Sequence, residues 1–95
     1  MIVAVDFDDT LRFSDGRPNT DLLNRLRYLQ RRGAIVILWT CREGHGLHEA
    51  LSWLRRQGFV PNYANQNAPQ AIRLLGHDSR KILADVYIDD KNANP

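Results

Sequence analysis

The run Ala34-Ile35-Val36-Ile37-Leu38-Trp39 is apolar at every position and rich in β-branched residues. Side chains of a strand alternate between two faces, so a strand without a polar position leaves no face for water and needs a layer on each side. This segment therefore predicts a central strand of a covered sheet over 34–39. Ile2-Val3-Ala4-Val5 repeats the pattern and is read as a strand over about 2–7; Ala84-Asp85-Val86-Tyr87-Ile88 gives another near the end of the chain. Phe59-Val60-Pro61-Asn62-Tyr63-Ala64 has weaker strand character. Pro61 lacks the N–H that a ladder requires, so this segment belongs at an edge.

Between these runs the period changes. Leu22, Leu23, Leu26 and Leu29 recur at three and four, predicting a helix over 21–32 with Asn19 or Thr20 as its cap and Gly33 just past its end. Leu47, Ala50, Leu51 and Leu54 mark a second helix over about 46–57, opened by His45 or Gly46 and closed by Gly58. A short third helix is expected from Asn67-Ala68-Pro69 through Ile72, Leu74 and Leu75 to Gly76. Strand and helix alternating with short connections imply an α/β fold: a three-layer, doubly wound, Rossmann-like parallel sheet of about four strands with helices on both faces. A chain of 95 residues has room for one such domain, spanning 1–95.

Nine of the eleven acidic residues are aspartates, and five of these form two groups, Asp6, Asp8 and Asp9 after the first strand and Asp89-Asp90 after the last. In an open α/β sheet, ligands bind beyond the carboxyl ends of the strands, where the strand order reverses. Four or five carboxylates gathered there repel one another unless a cation compensates them. Oxygen ligands favour Mg²⁺, which keeps several waters and pairs with phosphate. The remainder of the chain is basic, with Arg25, Arg27, Arg31, Arg32, Arg55 and Arg56 prominent, although the net charge is only +2. A basic body around an acidic centre suits an anionic ligand bridged by a cation. The single cysteine, Cys41, excludes an internal disulfide. No run approaches the length of a membrane span, and the opening residues carry no secretory pattern, so a cytoplasmic setting without membrane contact is expected.

Asp6-Phe7-Asp8-Asp9-Thr10 after an apolar strand resembles the DxDx(T/V) motif of the haloacid dehalogenase (HAD) superfamily. The family's second motif, a Thr or Ser closing the second strand, is matched by Thr40. Its lysine before the last core strand is matched by Lys81, and its apolar strand ending in an acidic pair by Val86-Tyr87-Ile88-Asp89-Asp90. All four stand in the right order over nearly the whole chain. Ile37-Leu38-Trp39-Thr40-Cys41-Arg42-Glu43-Gly44 together with Ile88-Asp89-Asp90-Lys91-Asn92 is similar, more narrowly, to small capless phosphatase-like members of bacteria and phages.

The resemblance implies a Mg²⁺-dependent phosphomonoesterase. Asp6 would attack phosphorus to give an aspartyl-phosphate, and Asp8 would act as general acid and then general base, its backbone carbonyl contacting the metal. Thr40 would donate its hydroxyl to a phosphoryl oxygen and Lys81 would neutralise developing charge, with Arg80 or Lys91 able to substitute. Arg42 would also bind substrate. Asp6, Asp8, Asp89 and Asp90 would form the metal site, Asp90 matching the direct ligand and Asp89 its neighbour, an order left open. Asn94 matches a further polar position only weakly. Asp9 stands where many members have Gly. Neither insertion point is long enough for a cap, so an open site is implied, able to take a nucleotide, a nucleic-acid end, a phosphoprotein or a small phosphate ester. Relatives usually continue into a fifth strand, so a homodimer or the last residues are expected to cover the edge of the strand at 84–88.

Two other readings share these residues. A non-catalytic phosphoacceptor module needs the same groups, but its acceptor Asp would close the third strand, where Tyr63-Ala64-Asn65 offers no carboxylate. A nucleic-acid-binding module would use the arginines of the first two helices, but no aromatic platform interleaves with them. Trp39 and Trp53 are read as packing groups with base stacking the minor alternative, Cys41 as a small buried residue, and His48 and His77 as exposed. His45 is read either as a phosphate contact or as a surface residue.

Overall fold

The computed structural model describes residues 1–69 and 83–90. The third helix beyond its opening residues, together with His77, Arg80, Lys81, Lys91 and Asn94, lies outside the described residues. Four parallel strands, β1 (Ile2–Val5), β2 (Ile35–Leu38), β3 (Tyr63–Ala64) and β4 (Val86–Ile88), form one sheet in the order β3-β2-β1-β4. Two helices, α1 (Thr20–Arg31) and α2 (Gly44–Arg56), join the first three strands. This is the expected α/β, Rossmann-like architecture.

The alternation of side chains divides the core. Val3, Val5, Val36 and Leu38 pack with Leu23 and Leu26 of α1 and Ala50, Trp53 and Leu54 of α2, joined by Phe7, Leu11 and Phe59. Ala4, Ile37 and Ala68 are buried on the opposite face, beside Ile2, Ile35, Tyr63 and Ala84. Both described helices thus cover one face, because β1, β2 and β3 succeed one another in a single direction across the sheet. Burial of side chains such as Leu26 and Leu54, each 0% exposed, contributes roughly 1.5–3 kcal/mol apiece. The connection from β3 to β4 then returns past β2 and β1, so the order reverses between β1 and β4. That gap is where such a sheet offers a crevice.

Several boundaries differ from expectation. β1 stops at Val5 because the Phe7 carbonyl accepts the N–H groups of Thr10, Leu11 and Arg12, closing a turn instead of extending the ladder. β3 shrinks to two residues: Val60 is 60% exposed, and the Asn62 side chain accepts the Val36 N–H at 2.8 Å where a longer strand would have offered a carbonyl. α2 starts two residues early, behind Glu43, which makes no side-chain cap. α1 behaves as read, with Asn19 Oδ1 accepting the Leu22 N–H and Gly33 following at φ 95°. Among the described residues no helix is long and apolar enough to cross a membrane, and β4 pairs only with β1.

Candidate active site

The loop leaving β1 is held from two sides. Asp6 donates its backbone N–H to the Ile88 carbonyl at 2.9 Å, continuing the β1–β4 pairing for one step and setting its side chain beside the residues that follow β4. Phe7 turns inward and is fully buried, which anchors the loop. Asp9 then takes a positive φ of 62°, and residues 8–18 fold back as a short hairpin through bridges of Asp8 with Arg12 and Arg12 with Pro18. The connection at the first cap position is no more than this hairpin. Thr10 ends the turn; its hydroxyl is buried and has no hydrogen-bond partner among the described residues.

Asp6, Thr40 and Asp89 line a single cleft of about 340 Å³ at the carboxyl ends of β1, β2 and β4, floored by Ala4, Val5 and Ile88 and bordered by Trp39, Cys41 and Tyr87. Asp6 is half-buried. Its pKa is raised above the ordinary 3.8, first by burial and then by the negative charges of Asp8, Asp90 and Asp89, against which one hydrogen bond from the Phe7 N–H acts in the other direction. The two aspartate groups, more than eighty positions apart in the sequence, therefore meet electrostatically at one point. Among the described residues no three acidic, histidine or cysteine side chains stand close enough together to hold a metal ion by themselves. Mg²⁺ does not require such a cage, since one or two carboxylates plus waters and substrate oxygens complete its shell. Asp6 and Asp89, two carboxylates on one cleft, are an oxygen-only donor set of the size that requirement names.

Thr40 is placed by Asn65. At the end of β3, Asn65 adopts φ 54°, accepts the Thr40 N–H on Oδ1 at 2.8 Å and donates from Nδ2 to the Arg42 carbonyl at 3.1 Å. The Thr40 hydroxyl oxygen accepts the Arg42 N–H at 3.2 Å, so its own proton is left to point elsewhere. Sequence reasoning passed over Asn65. An Asn after a short strand signals a left-handed turn, but its two partners in the β2 loop are not legible from that.

Arg42, expected to bind substrate, does not line the cleft. Its Nε and Nη2 donate to the two oxygens of Asp8, each at 2.9 Å, and its Nη1 donates to Glu49 at 3.0 Å and to the Gly46 carbonyl at 3.1 Å. Glu49 also receives both terminal nitrogens of Arg12, at 2.9 and 3.1 Å. The guanidinium groups of Arg12 and Arg42 lie 4.8 and 5.0 Å from the Phe7 ring centroid. The Arg42 hydrogen bonds hold the Asp8 carboxyl below its ordinary range, and Arg12 and Arg42 do the same for Glu49. Asp8 is thus carried away from the cleft into an ion-pair cluster, whereas the extended chain was expected to set it on the same side as Asp6.

Other assignments change as well. Trp39, the first residue past β2, is 38% exposed. Cys41, read as buried, is exposed in the loop that follows. Trp53 is buried as a packing group, edge-on to Phe7 at 5.7 Å. His45 and His48 are exposed. An aromatic ring does lie among the arginines of α1: Tyr28, 49% exposed, stands under the Arg32 guanidinium at 5.5 Å.

No family model matches this chain, and no curated protein does. A solved structure described as a conserved protein coded by a locus from Bacteroides thetaiotaomicron is similar over 100% of this chain and 81% of its own, with 37% sequence identity and a TM-score of 0.83.

Proposed function

Starting from a chain that belongs to the same family as that conserved Bacteroides protein, we propose that it is a capless HAD-type phosphatase, a Mg²⁺-dependent phosphomonoesterase working through Asp6. One observation carries this reading. Asp6, Thr40 and Asp89 share a cleft at the point where the strand order reverses, and three further carboxylates raise the pKa of Asp6.

Asp6, the Asp8 backbone carbonyl and Asp89 or Asp90 would hold Mg²⁺. When bound, the ion supplies the positive charge that lets a carboxylate and a phosphate approach each other. An Asp6 oxygen forms the bond to phosphorus as the ester P–O bond breaks, and the leaving oxygen takes a proton from Asp8. Water then attacks the aspartyl-phosphate, gives its proton to Asp8 and releases inorganic phosphate, restoring the Asp6 carboxylate. Thr40, its oxygen occupied by the Arg42 N–H, directs its proton at a phosphoryl oxygen. Asp8 clasped by Arg42 is ionised, which suits the second half of the cycle. The first half requires Asp8 to leave Arg42 and take up a proton.

Hydrolysis of 4-nitrophenyl phosphate, with and without Mg²⁺, tests the reading. Wild type turns over only with the metal, while Asp6→Asn and Asp8→Asn do not. A beryllium-fluoride adduct on Asp6, observed by crystallography or ¹⁹F NMR, identifies the nucleophile for a protein that ignores generic substrates. Turnover that survives Asp6→Asn removes the covalent route.

A further inference from the structure

The cleft is bordered by two aromatic side chains that the phosphoryl chemistry does not use. Trp39 directly precedes Thr40 and is 38% exposed; Tyr87, in the middle residue of β4, is 43% exposed. Water at an indole face is costly, and a monomeric fold ordinarily hides most of a tryptophan. Here Trp53 of α2 is only 8% exposed within the main core cluster, whereas Trp39 stands outside it. The Trp39 backbone is fixed nevertheless, its N–H donating to the Val5 carbonyl at 2.8 Å, and the next residue is held by Asn65. An exposed ring on a rigid backbone, one residue from the proposed phosphate contact, makes a pre-formed wall. The floor is apolar, Ala4, Val5 and Ile88, and the 340 Å³ volume lies within the range of about 300–1,000 Å³ typical of small-molecule sites.

We propose that Trp39, with Tyr87 on the β4 side, is a specificity-determining residue that stacks on a planar ring of the substrate, so that the site favours phosphate esters of nucleosides over those of aliphatic alcohols. This inference rests on the phosphatase reading for its kinetic test, and a binding test is independent of it. Aromatic stacking accepts any base, since every base presents a π face; the selectivity is for a flat ring and not for one base. The stacked ring must continue from the phosphate held at Asp6 and Thr40, which a nucleoside monophosphate or the terminal nucleotide of a nucleic acid satisfies.

The binding arm uses the full chain with Trp53→Phe, which makes Trp39 the reporting fluorophore, in an Asp6→Asn background that prevents turnover. Adenosine 5′-monophosphate is expected to quench the fluorescence with an affinity about tenfold higher than that of glycerol 3-phosphate. Adenosine alone should quench weakly and inorganic phosphate not at all. The kinetic arm compares kcat/KM for the same two esters. Trp39→Ala should lower the ratio about tenfold, and Trp39→Phe should restore most of it. Equal ratios for wild type and Trp39→Ala, or no quenching by the nucleotide, overturn the proposal. Absence of turnover on both esters with nucleotide quenching intact overturns the phosphatase reading and leaves the stacking site standing.

Discussion

The carboxyl ends of the strands carry two acidic regions built on opposite principles. In one, Asp8 and Glu49 are matched by Arg42 and Arg12 with fork-like hydrogen bonds, and both carboxyls sit below their ordinary range. In the other, Asp6 is half-buried in the cleft, no described cation pairs with it, and burial first, then the charges of Asp8, Asp90 and Asp89, raise its pKa. The first region is neutralised by arginines of the fold itself, and among the described residues the second has no such partner. Two aspartates separated by one residue are thereby given contrary electrostatic surroundings, the reverse of what the first half of the proposed cycle needs. A bound cation would have to favour the Asp6 carboxylate, and Asp8 would have to leave Arg42 to carry a proton.

Removing the centre of the second region should have the largest effect. Asp6→Asn is expected to abolish phosphatase turnover, a loss of about 10³-fold or more, and chelation of Mg²⁺ should do the same reversibly; steady-state assays with added metal check both. Next comes the clamp. Arg42→Ala removes the partner that keeps Asp8 ionised for the hydrolytic half of the cycle and should slow breakdown of the aspartyl-phosphate, and with it kcat, by about 10²-fold. Arg42→Lys, unable to form the fork, should recover only part of it. Asn65→Ala should cost roughly tenfold in kcat by loosening the Thr40 loop, while Asn65→Gly, which keeps the backbone conformation but not the side-chain bonds, should match it. Equal activity of Asn65→Gly and wild type would show that the turn, and not the side chain, positions Thr40.

The contrast between the regions also has a stability signature. Folded Asp6 has a pKa above its ordinary value of 3.8, so its ionised form is penalised in the fold. The penalty is absent below pH 3.8 and complete above the folded pKa. Asp6→Asn should therefore raise the melting temperature by a few degrees at pH 7 in metal-free buffer, and the gap should close as the pH falls through that window; thermal scans between pH 3.5 and 7 measure it. Asp8 has the contrary sign, its stabilisation present above pH 3.8 and lost as the pH falls through its lowered folded pKa. Substituting Asp8 by Asn should bring no such gain.

What could be read from the chain followed from local patterns. Continuous apolar runs gave β1 and β2, leucine periodicity gave α1 and α2, and the two aspartate groups pointed to the end of the sheet where the cleft lies. The missed features depend on contacts between loops. Arg42 meets Asp8 across 34 positions, and Asn65 meets Thr40 across 25; nothing in either residue's neighbourhood specifies the partner. The exposure of Trp39 and Cys41 was missed because a run of hydrophobicity does not mark where its strand ends. One turn of hydrogen bonds at Phe7 likewise shortened β1 from the expected 2–7.

The solitary hydroxyl of Thr10 explains a latitude in the motif that the chain resembles, in which Thr and Val alternate at this place. Buried without a partner among the described residues, the oxygen is tolerated, and the position selects for a forked outline. An isosteric methyl would fill the same mould and shed the burden of an unsolvated dipole, so Thr10→Val should melt slightly higher, by about 1 kcal/mol of added stability in denaturant titration.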